Sequence, residues 1–342
     1  MKNKTVYYLV VLSFVFFSCD SSVNEPEAPC DAVAAFADPV LEHYIRVKVR
    51  KTDGRNVCMS DCAKIQSLII EGTEGAQAIE KLDGIEALTG LKTLVIRHSR
   101  VAKLDPLEEL TGLTHIDFSH NYISNIEPLE DLTSLVYLDL QKNRIKDTAP
   151  VSGLTNLNYL NLSSNSLNDV DDLANLVNLE ILYFAGNNYW GDDSPYGTPP
   201  PLDLSPIAGL TNLKELQLSA NTIEDIGAIA GFLDLEIINL AVNEIVDISP
   251  LGGLPNLVHV NLKENEITNI DPLVNNSGLD EGDEVYLCAE DSDYDPSREQ
   301  PRGIGNSAEL DQDHPGIITL RSRDVIVGAY NTAEGTSPCE VR

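Results

Sequence analysis

The chain has 342 residues, with 54 acidic against 23 basic side chains and a formal net charge of −31. A surface this negative repels phosphate backbones, which excludes nucleic acid as a partner. It also argues against docking on anionic lipid by charge alone.

The first residues form an address rather than a fold. Lys2 and Lys4 precede an apolar run from Val6 to Phe17 that is too short to span a bilayer, so residues 1–18 read as a secretory signal. The run ends Phe16-Phe17-Ser18-Cys19, and a Cys after a small residue there resembles a bacterial lipoprotein cleavage site. Phe16 and Phe17 depart from that pattern. Cys19 is the expected lipidation site, with ordinary cleavage and free secretion as the alternative. Residues 19–29, with Ser, Pro and Glu and no apolar pattern, read as a flexible tether. The implied location is the cell envelope, lipid-anchored to a membrane or cell surface, or otherwise secreted.

Six cysteines occur, at 19, 30, 58, 62, 288 and 339. With Cys19 lipidated, five remain in an oxidising compartment and one must be unpaired. Their clustering before and after the central region predicts a stapled cap at each end, with Cys30–Cys58 and Cys288–Cys339 the favoured pairs. Cys62 is the expected buried free thiol, although spacing alone leaves the connectivity of the first three open. Cys58 and Cys62 lack the C-x-x-C spacing and no Cys/His pair follows, so no metal is expected.

Residues 30–64 read as an N-terminal cap. Asp38-Pro39 is a helix start, and Val40, Leu41, Tyr44, Ile45 and Val47 fall at helical spacing up to Lys51. Met59 to Lys64 reads as a second short helical turn, and Ser67 to Ile70 as the first strand. That first unit is degenerate, with Thr73 where later units carry Asn.

From there to residue 288 the chain repeats. One register recurs every 22 residues at Leu91, Leu113, Leu135, Leu157 and Leu179, then again at Leu213, Leu235 and Leu257. Such a period marks a solenoid, in which one unit cannot bury its own apolar face and neighbours must stack. In the unit from Leu113, the residues Ile116, Phe118, Ile123, Ile126, Leu129 and Leu132 point with it into the coil. Asn121, Asn143, Asn165, Asn187, Asn221, Asn243 and Asn265 share one offset, and Ser99 breaks the series. An amide fixed in an apolar frame both donates and accepts, which predicts a ladder that satisfies backbone groups where the strand turns away. Pro106, Pro128, Pro150, Pro206, Pro250 and Pro272 share another offset, placed on the convex side in irregular or single-turn helical backbone.

The pattern L-x-x-L-x-L-x-x-N-x-I-x-x-I-x-P-L-x-x-L-T resembles the 22-residue leucine-rich repeats of bacterial internalin-type proteins over about residues 30–290. The resemblance implies an α/β repeat solenoid, a curved array with a parallel sheet on its concave face and a helical N-terminal cap; the cysteine placement adds a disulfide-stapled C-terminal cap. The resemblance further implies binding of other proteins through the inner face. The apparent lipid site and the lack of an obvious wall-anchoring tail depart from that family, and suggest a lipoprotein of a two-membrane bacterium.

The unit from Leu179 is 12 residues longer, with an insert at about 188–201 that holds Tyr189, Trp190, Tyr196 and three consecutive prolines. Insertions of this kind form loops and often lie at binding surfaces. After a strand at Glu284 to Cys288, residues 289–342 read as the C-terminal cap, with Gly316 to Ala329 a strand or hairpin. Asp291, Asp293, Asp295 and Glu299 resemble half of a calcium loop, but Pro296 and Arg302 stand where its Gly and bidentate Glu belong, so a solvated acidic loop is expected.

Side chains that alternate with the core leucines face the inner surface. One lane there runs Thr93, His115, Tyr137, Tyr159, Ile181, Glu215, Ile237, His259; the next runs Val95, Asp117, Asp139, Asn161, Tyr183, Gln217, Asn239, Asn261. Tyr137, Tyr159, Ile181 and Tyr183 are predicted to form an aromatic-aliphatic patch, flanked by His115, Asp117 and Asp139 and joined by Trp190 from the insert. Rigid aromatics suit binding hot spots. His98 and His120 share an offset and are expected to stack without holding a metal. No catalytic motif occurs, and Asp117 and Asp139, on an open sheet, are expected to keep ordinary carboxylate acidity. The sequence therefore predicts a non-enzymatic surface recognition protein, for adhesion or scaffolding, that binds a protein and needs no cofactor. A glycan stacked on Tyr137, Tyr159, Tyr183 and Trp190, or a structural envelope role, is the alternative.

Overall fold

The structure, a computed structural model, describes residues 30–72, 78–187, 200–287 and 315–327. Within them, parallel strands follow one another in chain order, each paired to the next. They are β1 (Ser67–Glu71), β2 (Thr93–Arg97), β3 (His115–Asp117), β4 (Tyr137–Asp139), β5 (Tyr159–Asn161) and β6 (Ile181–Tyr183). Then come β7 (Glu215–Gln217), β8 (Ile237–Asn239), β9 (His259–Asn261), β10 (Glu284–Tyr286) and β11 (Ile326–Val327). This order without crossover is what a coil of one strand per turn dictates. The sheet lines the concave side of a curved leucine-rich-repeat solenoid.

Phase is kept throughout. His115 pairs with Tyr137, Tyr137 with Tyr159, and Tyr159 with Ile181. Ile181 then pairs with Glu215, so the longer unit loops out without slipping the register. The predicted core offsets hold: Leu113, Ile116, Phe118, Ile123, Leu129 and Leu132 are fully buried. The convex side returns through 3-10 turns such as Glu127–Leu129 and Ser249–Gly253, whose first turn carries the conserved-offset proline. Several of these turns are entered through an Asx turn; Asp147 Oδ1 accepts from Ala149 N at 2.9 Å and Asp247 Oδ1 from Ser249 N at 2.8 Å. A share of the acidic surplus is thus structural.

The Asn ladder is continuous across the stack. Asn143 Nδ2 donates to Leu140 O (3.0 Å) in its own coil and Phe118 O (2.9 Å) in the preceding one, while its Oδ1 accepts from Ile123 N (2.9 Å). Asn121 and Asn265 repeat this geometry. The residue before each ladder position is left-handed, as at His98, His120, Lys142 and Val242 (φ 49°, 57°, 52° and 58°). A second ladder, not foreseen from the sequence, runs on the other edge: Asn156, Asn178, Asn212 and Asn256 each donate to a carbonyl one coil back at 2.8 Å.

In the N-terminal cap, α1 spans Pro39–Lys48 and α2 spans Met59–Cys62. Asp38 Oδ1 caps α1 through Val40 N (2.8 Å) and Leu41 N (3.2 Å), and its Oδ2 accepts from Glu80 N (2.8 Å) and Lys81 N (3.3 Å). One buried carboxylate thus ties the cap to the first coil. Leu41 and Ile45 are buried, but Val47 is 51% exposed and leaves the predicted stripe. Two residues past Ile45 is about 200° around a helix, on the far side. Cys30 and Cys58 form a disulfide, and Cys62 is a buried free thiol.

At the other end, the strand or hairpin expected from Gly316 is instead α4 (Pro315–Ser322), followed by β11. Gly316, Ile317 and Leu320 recur at helical spacing and bury together. Gly316 packs so closely on α3 (Asp271–Val274) that a Cβ would lie 3.0 Å from Val274 Cγ2. The Arg323 guanidinium then donates to Val274 O (2.9 Å), Asn276 O (2.7 Å) and Leu279 O, taking up carbonyls that the end of the array leaves open. Among the described residues no helix is long and apolar enough to cross a membrane. Cys19, Trp190, the Cys288–Cys339 pair and the 291–299 loop lie outside the described residues.

Candidate recognition surface

On each short strand the middle residue points into the core, and the residues on either side face the concave surface. Because strands sit about 4.8 Å apart, rings at one offset must stack. His115 and Tyr137 lie 4.1 Å apart and 5° from parallel, and Tyr137 and Tyr159 lie 4.2 Å and 7°. Tyr183, one lane over, meets Tyr159 edge-on at 5.5 Å and 72°. Ile181 continues the first lane as the partner of Tyr159. The four rings are half-buried and form one continuous surface.

Beneath the rings is an acidic floor. Asp117 and Asp139 are 2% and 7% exposed, so they do not flank the patch in solvent as expected but lie under it. Asp117 accepts from Arg97 Nε (2.7 Å), Ser119 N (3.0 Å) and Ser119 Oγ (2.7 Å). Asp139 accepts from Gln141 N (2.9 Å), Asn161 Nδ2 (3.1 Å) and Tyr159 Oη (3.3 Å). The expectation of ordinary acidity fails at Asp139. Burial first, and the charge of Asp117 second, push its carboxyl up to about 6, against the pull of its hydrogen bonds. The ring lane and its polar neighbours desolvate a position that an alternating pattern places on an open sheet.

The same desolvation keeps the rings uncharged. Burial pushes Tyr137 up to about 12 and raises Tyr159 and Tyr183, and it lowers His115. At neutral pH the patch therefore presents a row of neutral stacked rings braced from below. Asp139 orients the Tyr159 hydroxyl, and Tyr183 Oη donates to Glu215 Oε1 at 2.7 Å.

The ends of the face are polar. Arg97 bridges Glu71 (2.9 Å) and Asp117, while His259 Nδ1 and Tyr286 Oη both meet Glu284 Oε2 at 2.9 Å. Sequence reasoning missed Arg97 and Tyr286; Tyr286 continues the second lane as the partner of Asn261, whereas Arg97 pairs with Glu71 outside both lanes. His98 and His120 lie side by side with ring centroids 4.1 Å apart, but tilted by 37° rather than stacked. Among the described residues the group with three metal-ligating atoms in reach is Cys30, Asp31 and Cys58, whose sulfurs are bonded to each other.

The fold and the repeated side chains define a leucine-rich-repeat protein. The profile "Leucine Rich repeats (2 copies)" matches residues 111–154, 155–197 and 234–275, and "Leucine Rich repeat" matches 209–230. Among solved structures, the chain is similar to internalin C2 of Listeria monocytogenes at 27% identity and a TM-score of 0.53, over 74% of this chain and 93% of that one. Internalin InlF of the same species matches at 25% identity and 0.52, over 87% and 96%. The functional domain of Listeria monocytogenes InlJ shares the fold at 22% identity and 0.56, over 74% and 56%. Comparison with curated protein sequences gives no match. The chain therefore carries leucine-rich repeats and is similar to bacterial internalins.

Proposed function

We propose that this protein is a non-enzymatic recognition module that binds a protein partner through His115, Tyr137, Tyr159, Ile181 and Tyr183 on the concave face, with Trp190 in the neighbouring insert. The stacked ring lane carries the reading. Its rings are held at 4.1 and 4.2 Å by the strand spacing, and so are ordered before any partner arrives. Ordered aromatics lose little conformational entropy on binding, and the stacked rings present a continuous row of edges to a partner. Residues 1–18 and Cys19 would present the module at the cell envelope on a lipid anchor, consistent with adhesion or scaffolding.

The test is saturable binding of the labelled chain to cells before and after protease treatment. Tyr137→Ala removes the central ring without touching a core leucine, and is expected to weaken binding by about tenfold or more, the effect of one hot spot. Its thermal midpoint checks that the fold is kept. Unchanged affinity removes the ring lane from the interface. Binding that survives protease but is lost on glycosidase treatment moves the ligand class to glycan.

A further inference from the structure

Charge is sorted along one edge of the solenoid, where each strand turns off at the left-handed residue. That position carries His98, His120 and Lys142 in the first three full coils, and Val242 and Glu264 in the last two. Two residues further on, the first three coils carry Arg100, Tyr122 and Arg144, and the last two carry Glu244 and Glu266. A cationic lane therefore occupies one end of this edge in a chain of net charge −31.

The lane is shaped as well as charged. His98, Arg100, His120, Tyr122 and Lys142 line a recess of about 330 Å³, and among the described residues no carboxylate lines it. The His98 and His120 rings lie 4.1 Å apart. The Arg144 guanidinium sits 4.4 Å over the ring of Tyr122, which is 45% exposed. Arg100 is paired with Glu80 at 3.2 Å, whereas among the described residues Lys142 and Arg144 have no carboxylate partner. The backbone donors at the turns are spent: His98 N bonds Ser119 O, and His120 N bonds Gln141 O. Any anion here must be held by side chains, one step per coil.

We infer that this edge recess binds a linear acidic polysaccharide, a chain of sugars bearing carboxylate or sulfate groups. Guanidinium groups favour such oxyanions, by paired charge-assisted hydrogen bonds, and the Tyr122 ring offers a face to a sugar ring. Repeat length separates this ligand from an acidic peptide. An extended peptide places same-side carboxylates about 6.6 Å apart, out of step with coils about 4.8 Å apart. A pyranose linked through opposite ends advances its chain by about one coil step. The acidic remainder of the surface does not forbid the contact, because at ~0.15 M salt charges beyond ~8 Å are largely screened.

The experiment titrates the full-length chain against heparin (sulfate), polygalacturonate (carboxylate), polyglutamate and neutral dextran at low and physiological salt. Saturable, salt-weakened binding to heparin or polygalacturonate is expected, and little to polyglutamate or dextran. Lys142→Glu with Arg144→Glu should lower that affinity about tenfold or more; the Gln pair stands in if charge reversal perturbs the melt. Tyr122→Ala should weaken it further, and Tyr137→Ala on the concave face should leave it unchanged, which separates this site from the protein-binding one. The inference is overturned by no binding to either acidic polysaccharide, by equal binding to polyglutamate, or by indifference to the Lys142 and Arg144 changes.

Discussion

Replacing Asn143 with Ala tests whether the buried amides hold the coils together. The side chain satisfies Leu140 O, Phe118 O and Ile123 N, three buried backbone groups in two adjacent coils. A buried polar group left unpaired costs about 1–3 kcal/mol. Phe118 O keeps a bond from Asn121 Nδ2 and Leu140 O one from Asn165 Nδ2, so Ile123 N is the group left unpaired. The two carbonyls lose about 1 kcal/mol each, and the expected loss is about 2–4 kcal/mol. Asn156→Ala is the internal control. It removes one exposed bond to Thr133 O at 2.8 Å, and water can take over that carbonyl. Its expected cost is under about 1 kcal/mol. Urea unfolding followed by circular dichroism gives both values from the midpoints, provided the slopes match. If the two variants lose the same stability, the inner amides are not what fastens one coil to the next. Asn143→Asp should be at least as damaging as Ala, since it points a carboxylate at two carbonyl oxygens.

Three further measurements follow from the site and the cap. Asp139 has a folded-state pKa raised from 3.8 to about 6, so its favourable contribution is complete below the unfolded value and is lost as pH rises toward and through 6. About two pH units correspond to roughly 3 kcal/mol. The stability of the wild type relative to Asp139→Asn should therefore fall by about that much between pH 4 and 7, and a flat difference would place the carboxyl in water. Cys62 is buried, and desolvation pushes its thiol up to about 11. Mass spectrometry of alkylated peptides should show Cys62 labelled only in denaturant, and labelling of the native protein would contradict the packing of α2. Reduction of Cys30–Cys58, which closes a 28-residue interval, should cost about 2–4 kcal/mol in urea unfolding and leave concave-face binding unaffected.

How much was legible in advance depended on the period. A side chain at a given offset meets the same offset one coil away, so His115, Tyr137, Tyr159 and Ile181 could be placed side by side from spacing alone. The cap helix was legible for a local reason, Asp38-Pro39 at its start. Its second task, binding Glu80 and Lys81 through the other carboxylate oxygen, was not, because those residues are some 40 positions away. Beyond the last full coil the period ceases. Residues 315–322 then read as alternating when isolated, yet fold as a helix because α3 offers a face that Gly316, Ile317 and Leu320 cover.

The sequence by itself therefore determined the solenoid, its phase, the buried amide ladder and the identity of the ring lane, since each needs only one repeat and its translation. Only the tertiary structure decided the electrostatic character of the surface. Asp117 and Asp139 share the outward parity of exposed residues, but stacked rings and neighbouring donors close over them, and Asp139 gives up its ordinary acidity. Parity sets the direction in which a side chain points; how much water reaches it depends on everything packed above it.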